Sequence, residues 1–202
     1  MVKWWHIVLV GTSCLRNIAQ VLGDNELMEF AVKPGIKPSS RIISSIDKYF
    51  EILSSNPYRI SAELNGMRDY LDKGLVHGVT LVYTDTDSGH YAAKLLEKYF
   101  ELKNIPVRSC RVKYLGKVFE LGVLNLLDTL VVEVNRVRGE GFRIAINLTG
   151  GFKAETGYAL LVASLLGIDK AYYVYEVGYA PVELPLIPLT PKQEYLKAIQ
   201  LI

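Results

Sequence analysis

Cysteine is scarce in this sequence: Cys14 and Cys110 are the only two in 202 residues. Two cysteines make neither a disulfide framework nor a cysteine-rich zinc site, so the chain reads as a reduced, intracellular protein. Charge of one sign is also lacking. Lys and Arg number 23 against 21 Asp and Glu, a formal net charge of +2. That excludes a protein that works by blanketing duplex nucleic acid, while a local basic pocket stays open. Long apolar runs are absent as well. The longest, Tyr158 to Ile168, falls far short of the roughly 20 residues of a membrane helix. The opening stretch through Val10 is short, carries His6 and lacks a small-x-small cleavage site, so it reads as a buried strand and not as a signal peptide. No membrane partner and a cytoplasmic location are expected. Three familiar signatures are missing too. No G-x-G-x-x-G follows the first strand, Gly150-Gly151-Phe152-Lys153 is not P-loop spacing, and there is no G-x-S-x-G elbow. A dinucleotide cofactor, triphosphate hydrolysis and hydrolase-elbow chemistry are therefore unsupported. No cluster at metal-ligand spacing appears, so neither cofactor nor metal is expected.

What is present is globular: 50% hydrophobic and 22% charged residues, without repeats or a low-complexity linker. The pattern predicts a strand over His6–Val10, a break at Gly11-Thr12-Ser13, and a helix over Leu15–Leu22. Residues 23–40 read as looser, with Pro34-Gly35 and Pro38-Ser39-Ser40 as punctuation. Ile42, Ile43, Ile46, Tyr49, Phe50 and Leu53 predict one amphipathic helix over Ser40–Leu53. Another spans Ile60–Leu71 and is closed by Lys73-Gly74. A regular alternation follows. Strands are predicted at Val79–Tyr83, Pro106–Val112, Phe142–Ile146 and Lys170–Tyr175. Helices are predicted at Ser88–Leu102, Phe119–Val137 and Gly151–Leu166. An extended Pro181–Pro188 edge strand and a short terminal helix at about 191–202 close the chain. Strands alternating with such helices mean βαβ units and a parallel sheet covered on both faces. The expectation is an α/β, Rossmann-like three-layer domain over residues 1–202. It is mostly parallel, with a C-terminal antiparallel edge hairpin and a helical insertion at about 24–74.

In such a sheet, ligands bind outside the carboxyl ends of the strands, near the switch in strand order. Three segments follow strands directly: Gly11 to Asn17, Thr84 to His90, and Asn147 to Lys153. Each enters a helix, whose free N–H groups and dipole favour anions. In the third, Gly150 and Gly151 let backbone approach a ligand, and Lys153 opposes the dipole unless an anion is near. The bland alternative has Thr149 as N-cap and Lys153 solvated. In the first, Ser13 either caps its helix or aims a hydroxyl or amide at a phosphate. Arg16 either forks onto a phosphate or faces solvent, and Asn17 can meet a base edge or a sugar. In the second, Asp85 or Asp87 can cap the helix, which suits Asp87 best, or the two acids can bind a ribose hydroxyl; His90 either points to the same edge or is a surface or core residue.

Gly-Thr-Ser-x-Leu-x-Asn after the first strand, Thr-Asp-Thr after the next, and Asn-Leu-Thr-Gly-Gly-Phe-Lys before a late helix together resemble the CRISPR-associated Rossmann-fold (CARF) domains. The likeness runs over residues 1 to about 188. It implies a symmetric homodimer holding a cyclic oligoadenylate, above all cyclic tetra-adenylate, across its two-fold axis. Many such proteins carry an effector. Here no Arg stands at HEPN ribonuclease spacing before any histidine, and about a dozen residues follow Pro188, too few for a winged helix. The resemblance therefore implies a stand-alone ring nuclease. In that chemistry a ribose 2′-OH attacks its own 3′-phosphate without metal, leaving a 2′,3′-cyclic phosphate. Lys153 is then expected to stabilise the transition state with help from Ser13, whose loss should cost less than that of Lys153 because its amide survives. Gly11, Thr12, Arg16, Asn17, Thr84, Asp85, Thr86, His90, Asn147, Thr149, Gly150, Gly151 and Phe152 are the expected ligand contacts. A non-catalytic sensor or sponge for the same messenger is the alternative, and a generic Rossmann enzyme of nucleotides or sugar phosphates is a more distant one.

Overall fold

The computed structural model describes residues 2–151, 153–175 and 180–190. The expected terminal helix and Phe152 lie outside the described residues. Six strands form one sheet: β1 (Trp4–Val10), β2 (Gly78–Thr84), β3 (Val107–Val112), β4 (Arg143–Asn147), β5 (Lys170–Tyr175) and β6 (Ala180–Leu184). Their order is β3-β2-β1-β4-β5-β6. Strands β1 to β5 pair in parallel, and β6 runs antiparallel to β5 at the edge. The Rossmann-like α/β architecture with an antiparallel edge hairpin is thus present.

All seven residues of β1 are buried, and its two-residue period divides them between two cores. Val8 and Val10 pack with α1 (Ser13–Leu22), α2 (Asn25–Val32), α4 (Ile46–Ser55), α6 (Ala62–Asp72) and α7 (Asp87–Leu102). Ile7 and Leu9 face the opposite layer, built from α8 (Phe119–Gly139) and α9 (Lys153–Leu165). The strand begins two residues before His6 because Trp4 and Trp5 are themselves core residues.

Residues 23–40 depart from the loose reading. Gly23 ends α1 at φ 63°, and the Asp24 carboxylate caps α2 by accepting from the Leu27 amide at 3.0 Å. The single helix expected over 40–53 is two. A turn at Ser45, whose amide reaches both Arg41 and Ile42 carbonyls, separates α3 (Ser40–Ser44) from α4. The next expected helix, Ile60–Leu71, is present as α6, and an extra short helix, α5 (Pro57–Ile60), precedes it, set apart because Ser61 leaves the helical region to cap α6 at the Leu64 amide.

Candidate functional site

Sheet order reverses at β1. The chain leaves β1 toward β2 on one side, and β4 lies on the other. The carboxyl ends of β1 and β4 are therefore neighbours with diverging connections, the crevice where open α/β sheets take ligands. A cavity of about 360 Å³ sits there. Of the residues expected at the site, Gly11, Thr12, Ser13, Arg16, Thr84, Thr86, Thr149, Gly150 and Gly151 line it. All three loops meet at this cavity. The starts of α1 and α7 and the turn before α9 open onto it, with Arg16 exposed beside them.

Gly150 is needed for a reason different from ligand access. A Cβ there would stand 2.2 Å from the Leu9 carbonyl oxygen and 2.8 Å from the Gly11 amide nitrogen. The first and third loops touch backbone to backbone, and only glycine permits it. Gly151 sits at φ 89°, the left-handed region, and turns the chain into α9.

The helical insertion also reaches the cavity. Ala31, Val32 and Pro34 supply an apolar wall, and Glu63 of α6 is the element that the sequence reading missed. Glu63 is 1% exposed. Its Oε1 accepts from the Gly11 amide at 2.9 Å. Its Oε2 accepts from the hydroxyls of Ser13 at 3.1 Å and Ser61 at 2.7 Å. Ser13 therefore caps nothing in its own helix. It donates to Glu63 and accepts from the Ala62 amide at 3.3 Å. Cys14, next along, is fully buried. Burial foremost, and then the Glu63 charge, push its thiol far above the ordinary range, so it is no nucleophile here.

Thr86, not Asp87, caps α7, accepting from the Gly89 amide at 3.0 Å while sharing a hydrogen bond with Thr84 at 2.8 Å. Thr149 Oγ1 ties the β4 turn to β5. Its hydroxyl donates to Asn147 Oδ1 at 2.7 Å and accepts from the Val174 amide at 3.2 Å.

Five expected contacts stand off the cavity lining. Asn17 donates to the Ile60 carbonyl at 2.9 Å and ties α1 to the insertion. Asn147 is fully buried and donates to the Glu63 carbonyl at 2.9 Å. Asp85 binds the Arg111 side chain at 2.7 Å, Lys117 at 3.0 Å and the Tyr114 amide at 3.2 Å. Burial alone would raise its pKa, but the Lys117 and Tyr114 hydrogen bonds and the nearby cations outweigh it and hold the carboxyl below its usual range. His90 pairs with the Tyr83 hydroxyl at 3.1 Å, and burial lowers its pKa. Lys153 is the first residue of α9 and is exposed, two positions beyond Gly151.

The cavity thus combines helix N-termini, hydroxyls and a guanidinium with an apolar wall. That set suits a ligand with anionic groups and flat apolar faces, the makeup of a nucleotide. The fold and the crevice define a Rossmann-like protein with a cavity at its switch point. A family model described as CRISPR-associated protein (Cas_APE2256) matches residues 58–187, well over half of the chain. The protein belongs to that CRISPR-associated family. The matched span includes Glu63 and the second and third loops; the Gly11–Asn17 loop precedes it. Among the described residues, no helix is long and apolar enough to cross a membrane.

Proposed function

We propose that this protein is a ring nuclease, which binds cyclic tetra-adenylate across a homodimer and opens it by metal-independent attack of a ribose 2′-OH on the adjacent 3′-phosphate. The carrying observation is the meeting of three strand-to-helix loops at one switch-point cavity in a chain of a CRISPR-associated family. Phosphates would sit at the starts of α1 and α7 and beside Arg16. An adenine would lie on the Ala31, Val32 and Pro34 wall. Lys153 would meet the phosphate from the start of α9 and offset the charge that builds on it. In-line attack then needs only that the sugar be held splayed, a positioning contribution.

A second copy of the chain is supported by α8 and α9. Leu121, Leu124 and Val132 on α8 and Leu161 and Leu165 on α9 are apolar yet between 45% and 62% exposed. Two adjacent helices with such faces suit an isologous contact. A two-fold axis along α9, which starts at the cavity turn, would bring two cavities to one end of the dimer, so that each protomer serves two of four phosphates.

A second reading keeps the ligand and drops the cleavage, making the protein a sensor or sponge. The observation that favours it is the place of Lys153, which is exposed and stands off the cavity lining. Incubation with radiolabelled cyclic tetra-adenylate in EDTA separates the two. Linear products ending in a 2′,3′-cyclic phosphate, lost in Lys153→Ala, support the nuclease. An intact ring held in a stable complex supports the sensor. Unchanged turnover in Lys153→Ala would remove Lys153 from the reaction.

A further inference from the structure

We propose that Glu63 is the proton acceptor behind Ser13, so that Ser13 serves the attacking 2′-hydroxyl and not the phosphate. This rests on the nuclease reading above. Ser13 Oγ has one proton and two lone pairs. The proton is given to Glu63 Oε2 at 3.1 Å, and one lone pair is taken by the Ala62 amide at 3.3 Å. What remains is a single acceptor position on a side chain that lines the cavity. An acceptor repels a phosphate oxygen and fits a hydroxyl that must lose its proton.

Glu63 is well placed to receive that proton. It is 1% exposed, lines the cavity, and presents Oε2 to the Ser13 and Ser61 hydroxyls while Oε1 is fixed by the Gly11 amide. In the proposed step the 2′-oxygen forms a bond to the adjacent phosphorus and the bond from phosphorus to the 5′-oxygen breaks. The 2′-proton moves to Ser13 Oγ as the Ser13 proton moves to Glu63 Oε2. The departing 5′-oxygen takes a proton from water. The hydroxide left behind recovers the proton from Glu63 by way of Ser13, which restores the pair. Glu63 touches no substrate atom; it acts through Ser13 as a positioning residue.

The test compares single-turnover cleavage of cyclic tetra-adenylate with equilibrium binding of the same ring, in full-length wild type, Glu63→Gln, Ser13→Ala and the double variant. General-base assistance is worth about 10²-fold or more in rate. The expected result is a loss of that size in each single variant, binding within about threefold of wild type, and a double variant no slower than either single one, since one relay is lost only once. If Glu63 only braces the Gly11 loop, Glu63→Gln loses binding and cleavage together, and the proposal fails. Losses that multiply in the double variant would also overturn it, as would Ser13→Ala cleaving near the wild-type rate. Should Glu63→Gln not fold, Glu63→Asp, which withdraws the carboxylate by one methylene, takes its place with the same expected split. Wild type that binds the ring without cutting it would sink the nuclease reading and the relay together. Wild type that cuts beside an unimpaired Glu63→Gln would sink the relay alone.

Discussion

His6 lies in the middle strand of the sheet and is fully buried. Its Nδ1 stands 2.7 Å from the Tyr172 hydroxyl and its Nε2 3.3 Å from the Leu75 carbonyl. A carbonyl only accepts, so Nε2 carries the proton and Nδ1 accepts from Tyr172. Burial is the main cause that pulls the His6 pKa from 6.5 to about 4; the Leu75 carbonyl opposes this and the neighbouring His77 adds to it. The unfolded chain therefore takes up a proton on this ring before the folded one does. Stability from the neutral ring is complete above pH 6.5, declines as pH falls through the interval from 6.5 to 4, and is fully lost below it. A shift from 6.5 to about 4 corresponds to about 3 kcal/mol in total, of which about 2 kcal/mol is lost between pH 7.5 and pH 5. The assay is urea unfolding followed by circular dichroism at pH 7.5, 6 and 5, at one protein concentration, for wild type and His6→Gln. Glutamine does not titrate, so the stability difference between the two proteins should change by about 2 kcal/mol across that range, in favour of the variant at low pH. Depressed carboxylates such as Asp24, held at about 2 by Arg41, affect both proteins alike and cancel. A difference that stays constant with pH would show that His6 titrates normally and that the buried-ring argument is wrong.

Gly150→Ala places a methyl against the Leu9 carbonyl and the Gly11 amide, backbone atoms that cannot turn aside. The expected cost is about 1–3 kcal/mol or more, read as a lower melting temperature together with weakened binding of cyclic tetra-adenylate. Thr86→Ala removes the cap of α7, and the Gly89 amide loses its acceptor. About 1 kcal/mol of stability should go, measured by denaturant midpoint. Charge placed on the exposed apolar face, as in Val132→Glu with Leu161→Glu, should convert a dimer to a monomer in light scattering while the fold, followed by circular dichroism, persists. A variant that stays dimeric would move the interface off α8 and α9.

The sheet and the three loops were legible because each rests on local pattern. Apolar strands, glycine breaks and helical spacing repeat with a fixed rhythm from residue 79 onward, and parallel topology follows from that rhythm. Helix α2 was hidden by the Pro34-Gly35 punctuation after it, although Gly23 and Asp24 already spelled a helix end and a cap. The roles of hydroxyls were less legible. Ser13 and Asp87 both stand where caps stand, yet Ser13 bonds to Glu63 and Thr86 caps α7. The assignments at α1 and α7 turn on backbone angles that short motifs leave open. Asn17 and Asn147 look like ligand contacts in sequence because their partners, the carbonyls of Ile60 and Glu63, are distant in the chain.

Glu63 shows where local reading stops. In sequence it is one acid in the first turn of a helix, where acids commonly sit for the dipole alone. Its partners Gly11 and Ser13 lie about fifty residues earlier, and only the packing of α6 on the end of β1 brings them within hydrogen-bond reach. Gly66 marks the same contact: a Cβ there would meet the Thr149 hydroxyl at 2.6 Å, so α6 is pressed onto the β4 turn as well. The insertion is therefore part of the site and not an appendage. It presses on both loops of the switch point, supplies the apolar wall through Val32 and Pro34, and sets the direction in which the Ser13 hydroxyl gives its proton. A chain with the same three motifs but without an acid at this place would leave the Ser13 proton free for a phosphate, and the same pocket would then favour holding its ligand over opening it.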